Sequence, residues 1–170
     1  MNLLAILMGI VTVVLAVVVI NKRQRVDDTR RKFRPSRVLL IVSAMLIALF
    51  AFTALYNFIG IAPIKQANQA SLDSLLVLFP VAMIFTIIVV SPVTEEIVFR
   101  ELLPFATGPS YVSFVFASLM FIVLHSPAGI MGFTSYAILA TGFLYARLKD
   151  NNVYTAIGVH IMWNAITIII

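Results

Sequence analysis

Apolar residues run in long blocks along this chain, and the few polar positions between them mark where each block ends. Residues 3–20 carry no charge, and neither do residues 38–64; about 20 apolar residues suffice for a helix to cross a hydrocarbon core. Residues 111–146 are uncharged apart from one neutral histidine, His125, and the Ser-Pro-Ala-Gly run at 126–129 divides them into two helices. A last block, 153–170, closes on Ile-Thr-Ile-Ile-Ile. The block 72–104 is interrupted by Pro80, Pro92 and Pro104, which predicts one span with a broken or interfacial lead-in. The whole pattern predicts an all-α, polytopic membrane helical bundle of about six transmembrane helices. It reads as a single membrane domain over 1–170, with two helices and a basic loop in 1–71 and the polar chemistry in 72–170.

Composition supports the bilayer. The chain is 62% hydrophobic and 11% charged, whereas charged residues make up about a quarter of a soluble domain. Its mean hydropathy is +1.07. Cysteine is absent, which removes a disulfide framework, a thiolate nucleophile and a cysteine-type zinc site. The pI near 9.9 would fit nucleic acid, but 8 of the 12 Lys/Arg fall between Lys22 and Arg37. That basicity belongs to one loop, so nucleic acid is not an expected partner and the lipid bilayer is. The positive-inside rule puts loop 21–37 in the cytoplasm and the N-terminus outside, with block 3–20 an uncleaved anchor. Arg147, Lys149 and Asp150 fall on the same side. The expected location is the cell membrane, as a multi-pass protein.

Outside that loop the charges are sparse, and Glu95, Glu96, Arg100 and Glu101 lie together in SPVTEEIVFRELLP. An ionisable group within a span costs roughly 2.5–3.5 kcal/mol on insertion scales, so it normally faces a cavity or a partner. Glu96 and Arg100 stand at i,i+4 with the acid first, the favourable order for an ion pair. Glu95 points about 100° away from Glu96 and is free to meet something else. Thr94 is positioned to cap a helix that restarts after a break at Pro92. Both histidines lie in apolar helices: His125 shares a face with Phe121, and His160 shares one with Asn164. One membrane histidine is commonly an interhelical hydrogen-bond partner. Two of them, with an asparagine and an unpaired glutamate, point to a site. Trp163 reads as packing.

A glutamate beside a histidine in a water-filled cavity is a general-base pair able to activate water for attack on a carbonyl. His160 and Asn164, one turn apart, are spaced to direct two N–H donors at a developing oxyanion. Other hydrolase designs fit less well. Ser126 adjoins His125, but no Gly-x-Ser-x-Gly elbow occurs. The aspartates (27, 28, 73 and 150) lie in loops or at span ends, so an aspartyl dyad has no members. His-Glu-x-x-His is absent, although spacing leaves open a dispersed zinc site of Glu95, His125 and His160.

Three segments carry a resemblance. EEIVFR at 95–100, FIVLH at 121–125 and HIMWN at 160–164 match, in order, the Glu-Glu-x-x-x-Arg, Phe-x-x-x-His and His-x-x-x-Asn motifs. Over about residues 75–170 the chain resembles the CPBP family, also called Abi or CAAX-protease-like: intramembrane glutamate endopeptidases and their bacteriocin-associated bacterial relatives. The resemblance implies catalysis by Glu95 assisted by His125, oxyanion stabilisation by His160 and Asn164, and support from the Glu96–Arg100 ion pair. It implies no metal cofactor and a bacterial source. The implied partner is a membrane-associated peptide or protein substrate. The chain ends within a turn or two of Asn164, which leaves few helices to enclose a lipidated substrate, so a peptide or small membrane protein is expected rather than a prenylated one.

Two rival readings use the same residues. One is a non-catalytic bacteriocin self-immunity or membrane scaffold protein that keeps the motifs for packing. The other is a small ion- or proton-coupled transporter, which predicts paired broken helices in two related halves; one such segment is evident. Gly142-x-x-x-Ala146 permits close helix packing within one chain or between chains, so the oligomeric state stays open. The site also carries a depth requirement. At about 1.5 Å per residue, Glu95 and His160 lie about 12–13 Å from the cytoplasmic side, but His125 lies near 21 Å.

Overall fold

Every long uncharged block becomes a helix. A computed structural model of the protein describes residues 2–24, 32–61 and 74–169. Among them six principal helices run α1 (Asn2–Gln24), α2 (Pro35–Phe58), α3 (Pro80–Ala106), α4 (Tyr111–Leu124), α5 (Gly129–Asp150) and α6 (Val153–Ile169). No strand occurs among the described residues, as expected of a polytopic helical bundle. α1, α2, α3 and α5 are long and apolar enough to span a bilayer, whereas α4 and α6 are shorter apolar helices. The middle of the basic loop, 25–31, lies outside the described residues.

The broken lead-in expected in 72–104 lies at Phe79, just ahead of Pro80, whereas the break expected at Pro92 is absent. A helical turn at 74–78 precedes a kink at Phe79 (φ −138°, ψ 60°), and α3 then runs unbroken from Pro80 through Pro92 and Pro104. Two π-helical turns, Thr86–Val90 and Val98–Leu102, absorb those two prolines. Thr94 caps nothing: its hydroxyl donates back to the carbonyls of Val90 and Ser91 at 2.8 and 3.0 Å.

The core forms where α2, α5 and α6 pack together and α3 and α4 close one side. Val38, Ile41, Val42 and Met45 give α2 one buried stripe at helical spacing, meeting Phe121, Ala140, Phe143, Ala146, Val159 and Trp163. Met45 lies over Gly142, where an added Cβ would sit 2.3 Å from its Sδ. The small-residue motif on α5 is thus used inside this chain. α1 packs on α3, with Gly9 against Phe85 and Val90.

Arg147 and Asp150, which the sequence places at a span end on the side of the basic loop, are buried. Arg147 Nε lies 2.8 Å from Glu101 Oε1, joining α5 to α3. Arg37 pairs with Asp150, whose other oxygen accepts from Thr155 at 2.9 Å. These contacts clasp four helices at one end of the bundle.

Candidate active site

Pro92 and Pro104, the two prolines inside α3, explain the backbone around the polar cluster. A proline inside a helix lacks an N–H and its ring collides with the carbonyl four residues back. Here one extra residue is accommodated ahead of each: Ser91 N–H bonds to Thr86 O, and Leu103 N–H to Val98 O, both five residues back. In that register the next bonds would run from Pro92 to Ile87 O and from Pro104 to Phe99 O, and neither exists. Both stranded carbonyls take a side-chain donor instead. Asn164 Nδ2 donates to Ile87 O at 2.8 Å, and Arg100 Nη1 approaches Phe99 O at 3.5 Å.

This register also settles the faces of the acidic pair. Glu96 is fully buried, with Oε2 3.4 Å from Arg100 Nε. Arg100 is buried too; it approaches Ala140 O at 3.4 Å and sits 5.5 Å over the Phe121 ring. The other oxygen of Glu96 meets His160 Nδ1 at 2.9 Å. Spacing puts His160 and Asn164 on one face and names no partner for either. The structure builds an Arg100–Glu96–His160 chain and sends the Asn164 amide to the backbone of α3. One Asn164 N–H is therefore already engaged, because the proline-freed carbonyl needs a donor.

Glu95 lies on the adjoining face. Its Oε2 is 3.7 Å from His125 Nε2 and 4.0 Å from His160 Nε2, so one carboxylate oxygen faces two imidazoles. Each imidazole is oriented from behind. His125 Nδ1 lies 2.7 Å from Phe121 O; a carbonyl only accepts, so Nδ1 carries a proton and Nε2 is the nitrogen turned toward Glu95. The His125 ring lies between those of Phe121 and Tyr136, with centroids at 4.3 and 4.8 Å. His160 stacks on Phe143 at 4.2 Å, nearly parallel. The side chains of Glu95 and His125 retain 23% and 19% exposure against 6% for His160. The Glu95–His125 side is thus the more open side of the cluster, although Glu95 Oε2 itself is enclosed.

His125 reaches Glu95 because α4 stops there. It follows Leu124 as the helix cap, and Ser126 takes a left-handed conformation (φ 49°) before Gly129 starts α5. The expected depth gap is closed in the fold, since Glu95 Oε2 lies 3.7 Å from His125 Nε2 and 4.0 Å from His160 Nε2. Among the described residues, no three His, Cys, Asp or Glu are arranged to hold a metal ion. Sequence reasoning passed over two residues at the site. Ser91, whose hydroxyl donates to Glu95 Oε1, was legible as an i,i+4 partner; Tyr136 had no sequence signal.

Pro92→Ala separates the backbone argument from simple packing. Restoring an N–H at 92 removes part of the roughly 3 kcal/mol by which proline disfavours a helix interior, so the unfolding midpoint in detergent should rise. The same N–H competes with Asn164 for Ile87 O, so function at the site should fall. A variant that loses both stability and function together would contradict this account.

Comparison with known proteins agrees with the motif geometry. UPF0177 protein YvdC of Lactococcus lactis subsp. lactis (strain IL1403) is 23% identical over 165 residues, covering 95% of this chain. The chain spans 62% of that relative's length. No solved structure matches it. Residues 76–166, which contain α3 to α6 almost entire, match the family described as type II CAAX prenyl endopeptidase Rce1-like. More than half of the chain lies within that match, and the protein is a multi-pass membrane member of the Rce1-like family.

Proposed function

We propose that the protein is an intramembrane endopeptidase that hydrolyses a peptide bond of a membrane-associated peptide or protein. The observation that carries this reading is the single free oxygen of Glu95 facing the Nε2 atoms of His125 and His160. The gaps of 3.7 and 4.0 Å are too long for direct hydrogen bonds and match a site bridged by water. Glu95 draws a proton from that water while His125 Nε2 accepts a hydrogen bond from it, and the oxygen attacks the scissile carbonyl. His160, as an imidazolium whose Nδ1–H is held by Glu96 much as a carboxylate orients the imidazole of a catalytic triad, donates its Nε2–H to the resulting oxyanion, and Glu95 passes the proton it took to the amide nitrogen as the oxyanion collapses and the C–N bond breaks. The second N–H of Asn164 completes the oxyanion site. No metal takes part. The protein sits in a bacterial cell membrane with the basic segment 21–37 on the cytoplasmic face.

The test uses the full chain, reconstituted with a tethered membrane substrate. Cleavage should disappear in both Glu95→Gln and His125→Ala while expression and folding persist. Full activity in both would overturn the reading. Cleavage should also survive excess chelator; loss that is restored by added zinc would replace water activation by Glu95 with a metal mechanism. One observation favours a non-catalytic packing role, as in a bacteriocin self-immunity or scaffold protein: Asn164 spends one amide N–H on the backbone of α3. In that case both variants keep their biological activity.

A further inference from the structure

Serine and threonine hydroxyls within helices usually donate to the carbonyl four residues back. Thr12, Thr86, Thr94, Ser118 and Ser135 all do so here. Ser91 does not. The carbonyl four residues behind it belongs to Ile87, and that oxygen accepts from Asn164 of α6 at 2.8 Å. The Ser91 hydroxyl turns forward instead and donates to Glu95 Oε1, one turn ahead on the same face. The α-helical register that begins at Ser91, right after the π-turn, makes that i,i+4 approach direct.

The contact divides the labour of the carboxylate. Glu95 Oε1 is tied to Ser91; Oε2 is shielded from solvent, makes no hydrogen bond and faces the two imidazoles. A glutamate side chain has rotamer freedom that must be removed before its free oxygen keeps one direction. Among the described residues, Ser91 supplies the hydrogen bond that removes it. We infer that Ser91 is a positioning residue, whose hydroxyl clamps Glu95 Oε1 and so holds Oε2 toward His125 and His160. The inference rests on the reading of Glu95 as the water-activating carboxylate. Asn164 acts on it from a distance, by occupying the carbonyl Ser91 would otherwise use.

Ser91→Ala and Ser91→Thr in the full-length protein test this, with cleavage kinetics and infrared difference spectra recorded side by side. Ser91→Ala should lower kcat about 10-fold, the scale of one lost hydrogen bond to a charged group. KM should stay within about twofold, since the substrate is not contacted. Ser91→Thr keeps the hydroxyl and should recover kcat to within about threefold of the parent. Subtracting the Glu95→Gln spectrum isolates the Glu95 carboxylate band, which should shift in Ser91→Ala and return in Ser91→Thr. An unmoved band overturns the clamp, whatever the kinetics. Complete loss of cleavage in Ser91→Ala without rescue by threonine also overturns it, because Ser91 would then be reacting itself. A band that shifts in a protein with no cleavage activity leaves the clamp standing and removes the endopeptidase reading.

Discussion

Glu95→Gln is expected to lower the rate of substrate cleavage by about 10³–10⁴-fold, the upper range for loss of a general base. Glutamine has nearly the same shape, and its carbonyl oxygen still accepts from the Ser91 hydroxyl. What disappears is the basic oxygen between His125 and His160. KM should change little, because the residue meets the attacking water rather than the bulk of the substrate. Stability should hold as well. Glu95 is partly exposed, it is not the ion-pair partner of Arg100, and removing its charge leaves no buried cation alone. Kinetics on the purified variant, together with its unfolding midpoint, check both halves. A rate within about tenfold of the parent would mean that another group takes the proton.

Glu96→Gln should do the reverse, damaging the fold first. Glu96 and Arg100 are both fully buried, and removing one partner of such a pair typically costs about 3–5 kcal/mol because the remaining charge is uncompensated. The loss should be visible as a much lower unfolding midpoint in detergent or as poor membrane accumulation. Arg100→Met should cost a similar amount by stranding Glu96. The double variant Glu96→Gln/Arg100→Met should recover a good part of that, since no buried charge is left, so the two effects should be strongly non-additive. Simple additivity would show that the two side chains act independently. Whatever fraction of Glu96→Gln folds should still cleave slowly, because glutamine holds the Nδ1–H of His160 with a weaker, neutral acceptor.

Ser91 and Glu95 show how closely the two kinds of information interlock. Spacing put Glu96 and Arg100 on one face and Glu95 on another, and the three-dimensional arrangement agrees. The face argument works because helical geometry is local: about 100° per residue holds wherever the backbone is α-helical, as it is from Ser91 to Ile97. It misled at Pro92, where a break and a Thr94 cap were expected. Proline was read as a stop, but a π-turn relieves the ring clash at the cost of one unpaired carbonyl, and a donor on another helix then accepts that cost. Spacing put His160 and Asn164 on one face and named no partner for either; each side chain found its partner on α3.

The sequence by itself determined the helices and their membrane character, and it marked the sparse polar residues that the structure gathers in one place. Uncharged blocks of about 20 residues have few other outcomes, and a charge in such a block needs a partner. The tertiary structure alone decided who that partner is. In a chain whose lipid-facing and core-facing surfaces are both apolar, hydrophobic periodicity does not say which side of a helix turns inward. The directions of Glu95 and His160, the burial of Arg147 and Asp150, and the capture of the Ile87 carbonyl by Asn164 therefore follow from close packing and from the requirement that every buried polar group find a complement.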